Sequence, residues 1–389
     1  MKYDFDKIIN RTNTNSEKYD FADEWGVPKD ALPMWVADMD FQTAPCIIEA
    51  MHENLNLGIF GYSEPKEEYY DALTKWYRTH FDFNIQKEWV LKTPGVVFGI
   101  AVALRALTNP GDAVLIQQPV YYPFRSVIVD NKRKLVNSPL MNRNGYYEMD
   151  FTDLEEKIVK NNVKLFILCS PHNPVGRVWK EEELKRVLEI CKKHSVFIIS
   201  DEIHADFTYP GHPHTVFGKI AGDYLEQVII CTSPSKTFNL AGLQISNIVI
   251  PSESVRRKCK EEMKAVAYDE VGMLAITACR AAYENGGEWL EELLVYLQGN
   301  VDYVRNFLKE NLPKVKLIEP EGTYLVWLDF TAYGLTAKEL DHKMLNEAKL
   351  WLDAGNIFGK EGAGYERVNI ACPRSVLKEA LERMKKAFA

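Results

Sequence analysis

Between residues 89 and 250, short apolar runs alternate with amphipathic segments, and this alternation strongly limits what the chain can fold into. The apolar runs are rich in β-branched residues and predict buried strands. The predicted strands cover 113–117, 164–170, 196–202, 227–233 and 244–250, with helix-like patterns at 97–107 and 181–194. Strands that alternate with helices form βαβ units, so we predict an α/β fold with a mainly parallel mixed sheet and helices on both faces. Open sheets of this kind place their binding sites at the carboxyl ends of the strands.

The remainder of the chain predicts two further parts. From 253 to about 310 the pattern is helical and is broken at Gly286-Gly287. After Pro313 it predicts a smaller α+β lobe, with strands at 315–318, 324–330 and 367–371 and helices near 336–348 and 375–388. We therefore divide the chain into an N-terminal segment (1–48) packing on the small domain and cleft, a large domain (49–288) and a small C-terminal domain (289–389).

Composition excludes several classes of function. The 389-residue chain has a formal net charge of −8, which gives no attraction for nucleic acid or for an anionic membrane. Its first residues lack the apolar core of a signal peptide, and no apolar run is long enough to span a bilayer. Its seven cysteines are dispersed without a C-x-x-C pair, and no H-E-x-x-H motif occurs. We therefore expect a cytoplasmic protein without disulfides or a metal site.

The end of the 227–233 strand carries a lysine among hydroxyl side chains, in the sequence Thr232-Ser-Pro-Ser-Lys-Thr-Phe-Asn. Lys236 there can form a Schiff base with a carbonyl cofactor, and the hydroxyls of Ser233 and Ser235 can bind a phosphate. A lone lysine in such a loop is more often a solvated surface residue. The residues that follow the neighbouring strands are therefore needed to choose between these two interpretations.

Polar or aromatic residues follow three neighbouring strands. Asp201 ends the 196–202 run; its carboxylate could hold the proton of a pyridine nitrogen or could merely cap the next segment. Asn173, in Ser-Pro-His-Asn-Pro-Val-Gly, could donate to a ring oxygen or only form a turn. Tyr121 could stack on a planar ring or pack over a loop.

Two further positions are candidates for binding anions. Gly95, Val96 and Val97 join a short strand to a helix, where free N–H groups could hold a phosphate, although many βα turns contain glycine. Arg374 closes a late strand and could bind a carboxylate bidentately through its guanidinium, or lie on the surface. Neither a phosphate-binding P-loop nor a G-x-G-x-x-G motif occurs.

Taken in order, these motifs resemble the fold-type I pyridoxal phosphate (PLP) enzymes of the aspartate aminotransferase superfamily. The resemblance covers nearly the whole chain. A narrower resemblance, to the MalY/PatB family of cystathionine β-lyases or C–S lyases, is carried by three segments. These are Met34-Trp-Val-Ala-Asp-Met-Asp-Phe41, Asp201-Glu-Ile-His204 and Ser235-Lys-Thr-Phe-Asn-Leu-Ala-Gly-Leu-Gln244.

The resemblance implies a role for each matching residue. Lys236 would be the Schiff-base lysine, Asp201 the partner of the pyridine nitrogen and Tyr121 the stacking ring. Asn173 and His204 would lie near the ring hydroxyl. The phosphate would be surrounded by Gly95, Val96, Val97, Ser233 and Ser235.

The resemblance also implies which residues bind the substrate and which residue crosses the subunit interface. Arg374 would bind the substrate α-carboxylate, and Ala37 and Asp38 would lie in the segment that borders the substrate entrance. Tyr62 would reach the phosphate of a neighbouring subunit, which implies a homodimer with shared active sites.

Two departures from the wider aminotransferase pattern favour elimination over transamination. Gln244 stands eight residues after Lys236, where many aminotransferases carry a phosphate-binding arginine, and His204 replaces a common tyrosine. A charge-assisted phosphate contact is thereby lost. We hypothesise that a lyase tolerates this loss because its cofactor returns to the lysine in every cycle. The expected activity is α,β-elimination on a sulfur amino acid; an aminotransferase and a regulatory binding protein on the same scaffold remain alternatives.

Overall fold

The structure, a computed structural model, describes residues 1–268 and 270–389. Its strands are β1 (Leu32–Pro33), β2 (Val90–Thr93), β3 (Ala113–Ile116), β4 (Lys134–Asn137), β5 (Met141–Arg143), β6 (Tyr146–Glu148), β7 (Val163–Cys169), β8 (Phe197–Asp201), β9 (Val228–Thr232), β10 (Ser246–Val249), β11 (Lys316–Ile318), β12 (Leu325–Asp329), β13 (Leu350–Trp351), β14 (Asp353–Ala354) and β15 (Tyr365–Asn369).

Its α-helices are α1 (Glu17–Asp20), α2 (Pro45–Leu57), α3 (Glu67–Phe81), α4 (Val96–Leu107), α5 (Pro123–Asp130), α6 (Phe151–Asn161), α7 (Glu181–Lys193), α8 (Phe217–Ile220), α9 (Pro234–Thr237), α10 (Glu253–Ala265), α11 (Met273–Asn285), α12 (Gly287–Asn311), α13 (Ala337–His342) and α14 (Arg374–Phe388). A membrane-crossing helix, which must be both long and apolar, does not occur among the described residues.

The large sheet of the described residues has seven strands in the order β2-β10-β9-β8-β7-β3-β4. The strands from β9 to β4 run parallel, whereas β10 is antiparallel to both of its neighbours. The prediction of a mainly parallel mixed sheet is therefore confirmed. Because β7, β8 and β9 are parallel neighbours, their carboxyl ends lie side by side.

Helices cover both faces of this sheet, as the strand side chains show. Along β7, Leu165 and Ile167 join a core cluster with residues of α4, α5 and α10. Phe166 and Leu168 point the other way and join the larger cluster, which includes residues of α6, α7, α11 and α12. Successive strand side chains alternate between faces, so a strand that is buried on both sides is apolar throughout.

The small lobe has a four-stranded antiparallel sheet in the order β11-β12-β15-β14 among the described residues. The N-terminal segment attaches to this lobe, because β1 pairs in parallel with β13. Strand β15 covers 365–369, whereas the prediction was 367–371. The predicted strand end is not part of the sheet, because the Ala371 carbonyl accepts a hydrogen bond from the Asp40 N–H of the N-terminal segment. The divisions at 48 and 288 stay a prediction; the second falls in the first turn of α12.

Glycine is required where α11 meets α12. A Cβ built on Gly286 would lie 2.4 Å from the Phe238 ring and 2.6 Å from the Ala282 carbonyl oxygen. Phe238 follows α9, the helix that carries Lys236. The close approach at Gly286 therefore sets the packing behind the lysine loop.

Candidate active site

A cavity of about 190 Å³ lies at the carboxyl ends of the parallel strands. It is lined by Ala37, Pro94, Gly95, Val96, Val97, Tyr121, Cys169, Asn173, Asp201, Ile203, His204, Ser235, Lys236, Ala241, Gln244 and Ile245. The structure therefore brings together most of the site residues predicted from the sequence. The exceptions are Ser233, Tyr62, Arg374 and Asp38.

Lys236 is held close to the N-terminal segment. It lies on α9, directly after β9, and its Nζ donates a 2.7 Å hydrogen bond to the Ala37 carbonyl. Burial lowers the pKa of Lys236 to about 8, although the nearby Asp38 carboxylate favours the charged form. A lysine with a lowered pKa exposes a neutral amine near neutral pH, which is the form that attacks a carbonyl and accepts a proton.

Asp201 is a buried carboxylate at the end of β8. Its Oδ1 accepts a 3.1 Å bond from the N–H of Ile203, a local backbone contact of the capping kind that was the alternative interpretation of this residue. Burial, with a smaller contribution from Glu202, raises the pKa of Asp201 to about 7. Among the described residues, no lysine or arginine forms an ion pair with this carboxylate. A cationic group inside the cavity would supply the missing partner.

Asn173, Tyr121 and His204 form the walls beside Asp201. The Asn173 carbonyl accepts a 3.0 Å bond from the N–H of Tyr121, which ties the two loops together. Burial lowers the pKa of His204 to about 3, so its ring is neutral. The Nδ1 of His204 is buried and has no hydrogen-bond partner among the described residues.

The start of α4 forms the wall suited to an anion. Gly95 precedes the helix, and the first N–H groups of a helix have no partner within it. A Cβ built on Gly95 would meet no protein atom within 4 Å, so the space in front of this turn is open. Ser235 and Gln244 also line the cavity. This wall matches the sequence prediction of a phosphate site at 95–97.

Ser233 departs from its predicted role. Its hydroxyl donates a 2.7 Å bond to the Ile245 carbonyl and accepts a 3.0 Å bond from the N–H of Ser235. It is the N-cap of α9 and does not line the cavity. Because its hydroxyl is committed to the protein, Ser233 shapes the lysine loop, and Ser235 alone of the two serines lines the cavity.

Arg374 does not lie in the cavity, contrary to the prediction. It begins α14, and its Nε donates a 2.6 Å bond to Asn300 on α12. Its guanidinium also lies over the rings of Tyr296 and Tyr303. These contacts hold the side chain against α12 and outside the cavity lining.

Arg367, which the sequence analysis missed, is the arginine beside the site. It is 2% exposed, and its Nη1 donates a 3.1 Å bond to Oδ1 of Asn173. It also pairs with Asp353 and donates a 2.7 Å bond to the Trp35 carbonyl, while its Nε has no partner among the described residues. The available signal was a charged side chain within a strand of the small lobe, whereas the prediction rested on the arginine after the strand end.

Asp38 and Tyr62 also lie outside the cavity lining. Asp38 pairs with Arg11 at 2.5 Å and with Lys18 at 3.5 Å, so its carboxylate is committed to the N-terminal segment. Its neighbour Ala37 does line the cavity. Tyr62 is 94% exposed and lines a separate surface depression of its own chain, together with Leu243.

Three further residues that the sequence analysis did not assign fix the segment at 34–41. Tyr324 donates a 3.0 Å bond to the Ala37 carbonyl. Asn239 bonds the N–H of Met39 and the carbonyls of Met39 and Phe41. Asn369 donates to the carbonyls of Val36 and Asp38. The segment is thus held by the lysine loop on one side and by the small lobe on the other.

Comparison with known proteins agrees with this geometry. Residues 29–384 match the family described as aminotransferase class I and II. The chain belongs to the aminotransferase class I and II family. It is 42% identical over 385 residues to the cystathionine β-lyase PatB of Bacillus subtilis, which covers 99% of this chain and 100% of that protein. The resemblance to the MalY/PatB family is therefore confirmed.

Solved structures of the aminotransferase class I and II fold superpose closely. A PLP-bound protein of Clostridium difficile 630, which carries the general name of an aminotransferase, has a TM-score of 0.97 and 43% identity, with 100% of both chains covered. The PLP-bound C–S lyase of Staphylococcus hominis has a TM-score of 0.93 and 36% identity, covering 100% of this chain and 98% of that one. The predicted fold type is confirmed.

Proposed function

We propose that this chain is a PLP-dependent carbon–sulfur lyase of the cystathionine β-lyase type. It would convert cystathionine or a related sulfur amino acid into a thiol, pyruvate and ammonia by α,β-elimination. The observation that carries the proposal is the pair formed by Lys236 and Asp201, a lysine of lowered pKa and a buried carboxylate without a cationic partner in one cavity. The likeness to PatB and to the Staphylococcus hominis C–S lyase supports the choice of reaction.

The cavity residues fit PLP. The aminotransferase class I and II family is PLP-dependent. Lys236 would hold the aldehyde, Asp201 the protonated ring nitrogen, and Tyr121 would stack on the ring. Asn173 and His204 would lie near the ring hydroxyl, and the turn at 95–97 with Ser235 would take the phosphate. When bound, PLP supplies an electron sink for the carbanion at Cα.

The reaction then follows from what the side chains do. The Nζ of Lys236, neutral above a pKa of about 8, would accept the proton from the substrate Cα. Asp201, charged above a pKa of about 7, would keep its partner protonated. The bond between Cβ and sulfur then breaks, and the thiolate leaves with the electron pair and takes up a proton. The unsaturated amino acid that remains is released, and water hydrolyses it to pyruvate and ammonia.

Arg367 would bind the substrate α-carboxylate in place of Arg374. Its buried guanidinium is fixed by Asn173, Asp353 and the Trp35 carbonyl, and its Nε has no partner among the described residues. A charged, oriented donor of this kind suits a carboxylate, because such bonds are about twice as strong as neutral ones. Fixing the carboxylate would aim the Cα–H bond toward Lys236.

An aminotransferase is the second candidate, since the Clostridium difficile protein carries that name. A direct assay separates the two. The purified, PLP-loaded protein is given cystathionine, and pyruvate and free thiol are followed together. In parallel, a 2-oxo acid is added and new amino acid is measured. Equal release of pyruvate and thiol without a 2-oxo acid supports the lyase; amine transfer that requires a 2-oxo acid contradicts it.

We further propose a cytoplasmic homodimer in which Tyr62 reaches the neighbouring subunit's site. Leu57, Ile59, Phe60 and Tyr62 are each at least two-thirds exposed, and such apolar clusters mark interaction surfaces. The seven cysteines are free thiols, which suits a reducing compartment. Sedimentation of the protein with and without Tyr62→Ala, together with PLP affinity, tests the shared site. A monomer with unchanged PLP affinity would contradict it.

A further inference from the structure

The Ala37 carbonyl oxygen accepts two hydrogen bonds inside the protein. One comes from the Nζ of Lys236 at 2.7 Å and the other from the hydroxyl of Tyr324 at 3.0 Å. Tyr324 is fully buried, and its ring packs edge-on against His204 and Phe207. The phenol therefore has a fixed position from which it reaches the same oxygen as the lysine.

The peptide groups on either side of Ala37 are also fixed. Asn369 Nδ2 donates to the Val36 carbonyl at 2.7 Å and to the Asp38 carbonyl at 2.5 Å. Arg367 holds the preceding Trp35 carbonyl. Flanked by these bonds, the Ala37 carbonyl has one oxygen lone pair used by Tyr324 and the other directed at Lys236.

We propose that Tyr324 is a positioning residue that fixes the Ala37 carbonyl as the acceptor for the ammonium of Lys236. The inference rests on the proposed function, in which the Nζ of Lys236 gains a proton from the substrate. A buried ammonium is costly without a hydrogen-bond acceptor, and a backbone carbonyl held in place supplies one without moving. Tyr324 thus acts through Ala37 and touches neither substrate nor cofactor in this role.

Several charged groups near Lys236 also affect its pKa, so a test of Tyr324 must leave them unchanged. The charged or titratable groups that act on or beside the lysine are Asp38 of the N-terminal segment, Asp201 of β8, Arg367 of β15 and the neutral His204. Replacing Tyr324 by phenylalanine alters none of these charges. A change in the proton affinity of Lys236 would therefore report the loss of the fixed acceptor.

The test compares Tyr324→Phe with Tyr224→Phe. The Tyr224 hydroxyl is also buried and donates to backbone carbonyls, those of Cys191 and Val196, far from the cavity lining. Cofactor-free proteins are treated with an amine-reactive reagent across a pH series, and labelling of Lys236 is read by peptide mass spectrometry. We expect the Lys236 midpoint to fall by about one pH unit in Tyr324→Phe, the size of one hydrogen bond to a charged group. It should not move in Tyr224→Phe.

A second readout uses the PLP-loaded enzymes and cystathionine. Tyr324→Phe should lower kcat about tenfold with little change in KM, since the lost contact concerns the protonated lysine and not substrate binding. Thermal melting of both variants controls for lost stability. An unchanged Lys236 midpoint, or an equal shift in both variants, overturns the inference. A wild-type enzyme without pyruvate release would contradict the proposed function, while the labelling midpoints would still decide the role of Tyr324.

Discussion

Arg367 donates a 3.1 Å hydrogen bond from Nη1 to Oδ1 of Asn173, and this bond joins the small lobe to a loop of the large sheet. Asn173 lines the cavity, whereas Arg367 stands behind it on β15. The pair therefore places a buried guanidinium next to the space for a substrate. This position is why we propose Arg367, inside β15, and not Arg374, at the start of α14, as the ligand of the substrate carboxylate.

Replacing Arg367 by lysine tests this assignment. A lysine cannot reproduce the planar, forked donor geometry of arginine, so we expect KM for cystathionine to rise about 10- to 100-fold. Pyruvate release at varied substrate concentration gives KM and kcat. Arg374→Lys is the matched comparison and should leave KM unchanged. The assignment fails if KM rises only in the Arg374 variant.

The pH dependence of cofactor uptake follows from Lys236. The ammonium form cannot attack an aldehyde, and the pKa of Lys236 is lowered from 10.5 to about 8, so the reactive amine appears as pH rises through 8. We expect the rate at which cofactor-free protein takes up PLP to rise with pH to a midpoint near 8. Visible absorbance in stopped-flow mixing measures it. A midpoint near 10.5 would show that the lysine is not desolvated, and Lys236→Ala should show no uptake into this absorbance band.

Asp201→Asn removes the negative charge while keeping the shape of the side chain. We expect kcat to fall at least about 100-fold, because loss of a charged buried partner costs about 3 kcal/mol. Steady-state kinetics with Asp223→Asn, an exposed carboxylate, as the control measures the effect. Full activity in Asp201→Asn would remove this residue from the mechanism.

Asp201 should also affect how the free energy of unfolding depends on pH. Its pKa is raised from 3.8 to about 7, so the folded cofactor-free protein binds an additional proton between these values. Stability contributed by this group is therefore lost as pH rises from about 4 to 7. In Asp201→Asn this falling contribution is absent, so the free energy of unfolding from urea titrations should change with pH along a more positive slope in this window than in the unsubstituted protein. An identical slope in both proteins would contradict the raised pKa.

Gln244→Arg tests the hypothesis that Gln244 favours elimination over amine transfer. Gln244 lines the cavity, where an arginine would add a charge-assisted contact to the phosphate. We expect slower loss of PLP and a higher ratio of amine transfer to elimination. Dialysis against a PLP-free buffer and the paired assays for pyruvate and new amino acid measure both quantities. If neither changes, Gln244 does not account for the reaction preference.

Adjacent glycines at the α11–α12 junction make a stability test with an internal control. Gly286→Ala would bring a Cβ to 2.4 Å from Phe238, whereas a Cβ at Gly287 meets only Trp76 at 3.9 Å. We expect Gly286→Ala to lower the free energy of unfolding by about 1–3 kcal/mol and Gly287→Ala to have little effect. Denaturant titration distinguishes them, and equal losses would contradict the close packing behind Phe238.

The sequence was most informative where strands are buried on both faces. The middle parts of runs such as 164–170 and 227–233 are apolar on both faces because two helical layers cover the sheet. Their ends could therefore be located from the sequence, and with them the neighbourhood of Asp201 and Lys236. The shared position of these side chains then follows from parallel strands ending at one edge.

Contacts between distant segments could not be predicted in this way. Arg367 lies in mid-strand between Glu366 and Val368, and its partners Asn173 and Trp35 are far away in the chain, so the local pattern does not show which polar residue of the strand lies beside the cavity. From the sequence alone, the hydroxyl of Ser233 could have bound a phosphate. In the fold it donates a hydrogen bond to the Ile245 carbonyl instead. Local patterns predict elements, whereas these partners depend on tertiary packing.

The irregular stretch at 34–41 has a mechanical consequence. It takes hydrogen bonds from Asn239, three residues beyond Lys236, and from Asn369, two residues beyond Arg367. A rotation of the small lobe against the large sheet would therefore pull on both anchors at once. The Ala37 carbonyl, which accepts the hydrogen bond of Lys236, lies between these two anchors, so a displacement of either lobe would also shift the acceptor of the reactive amine.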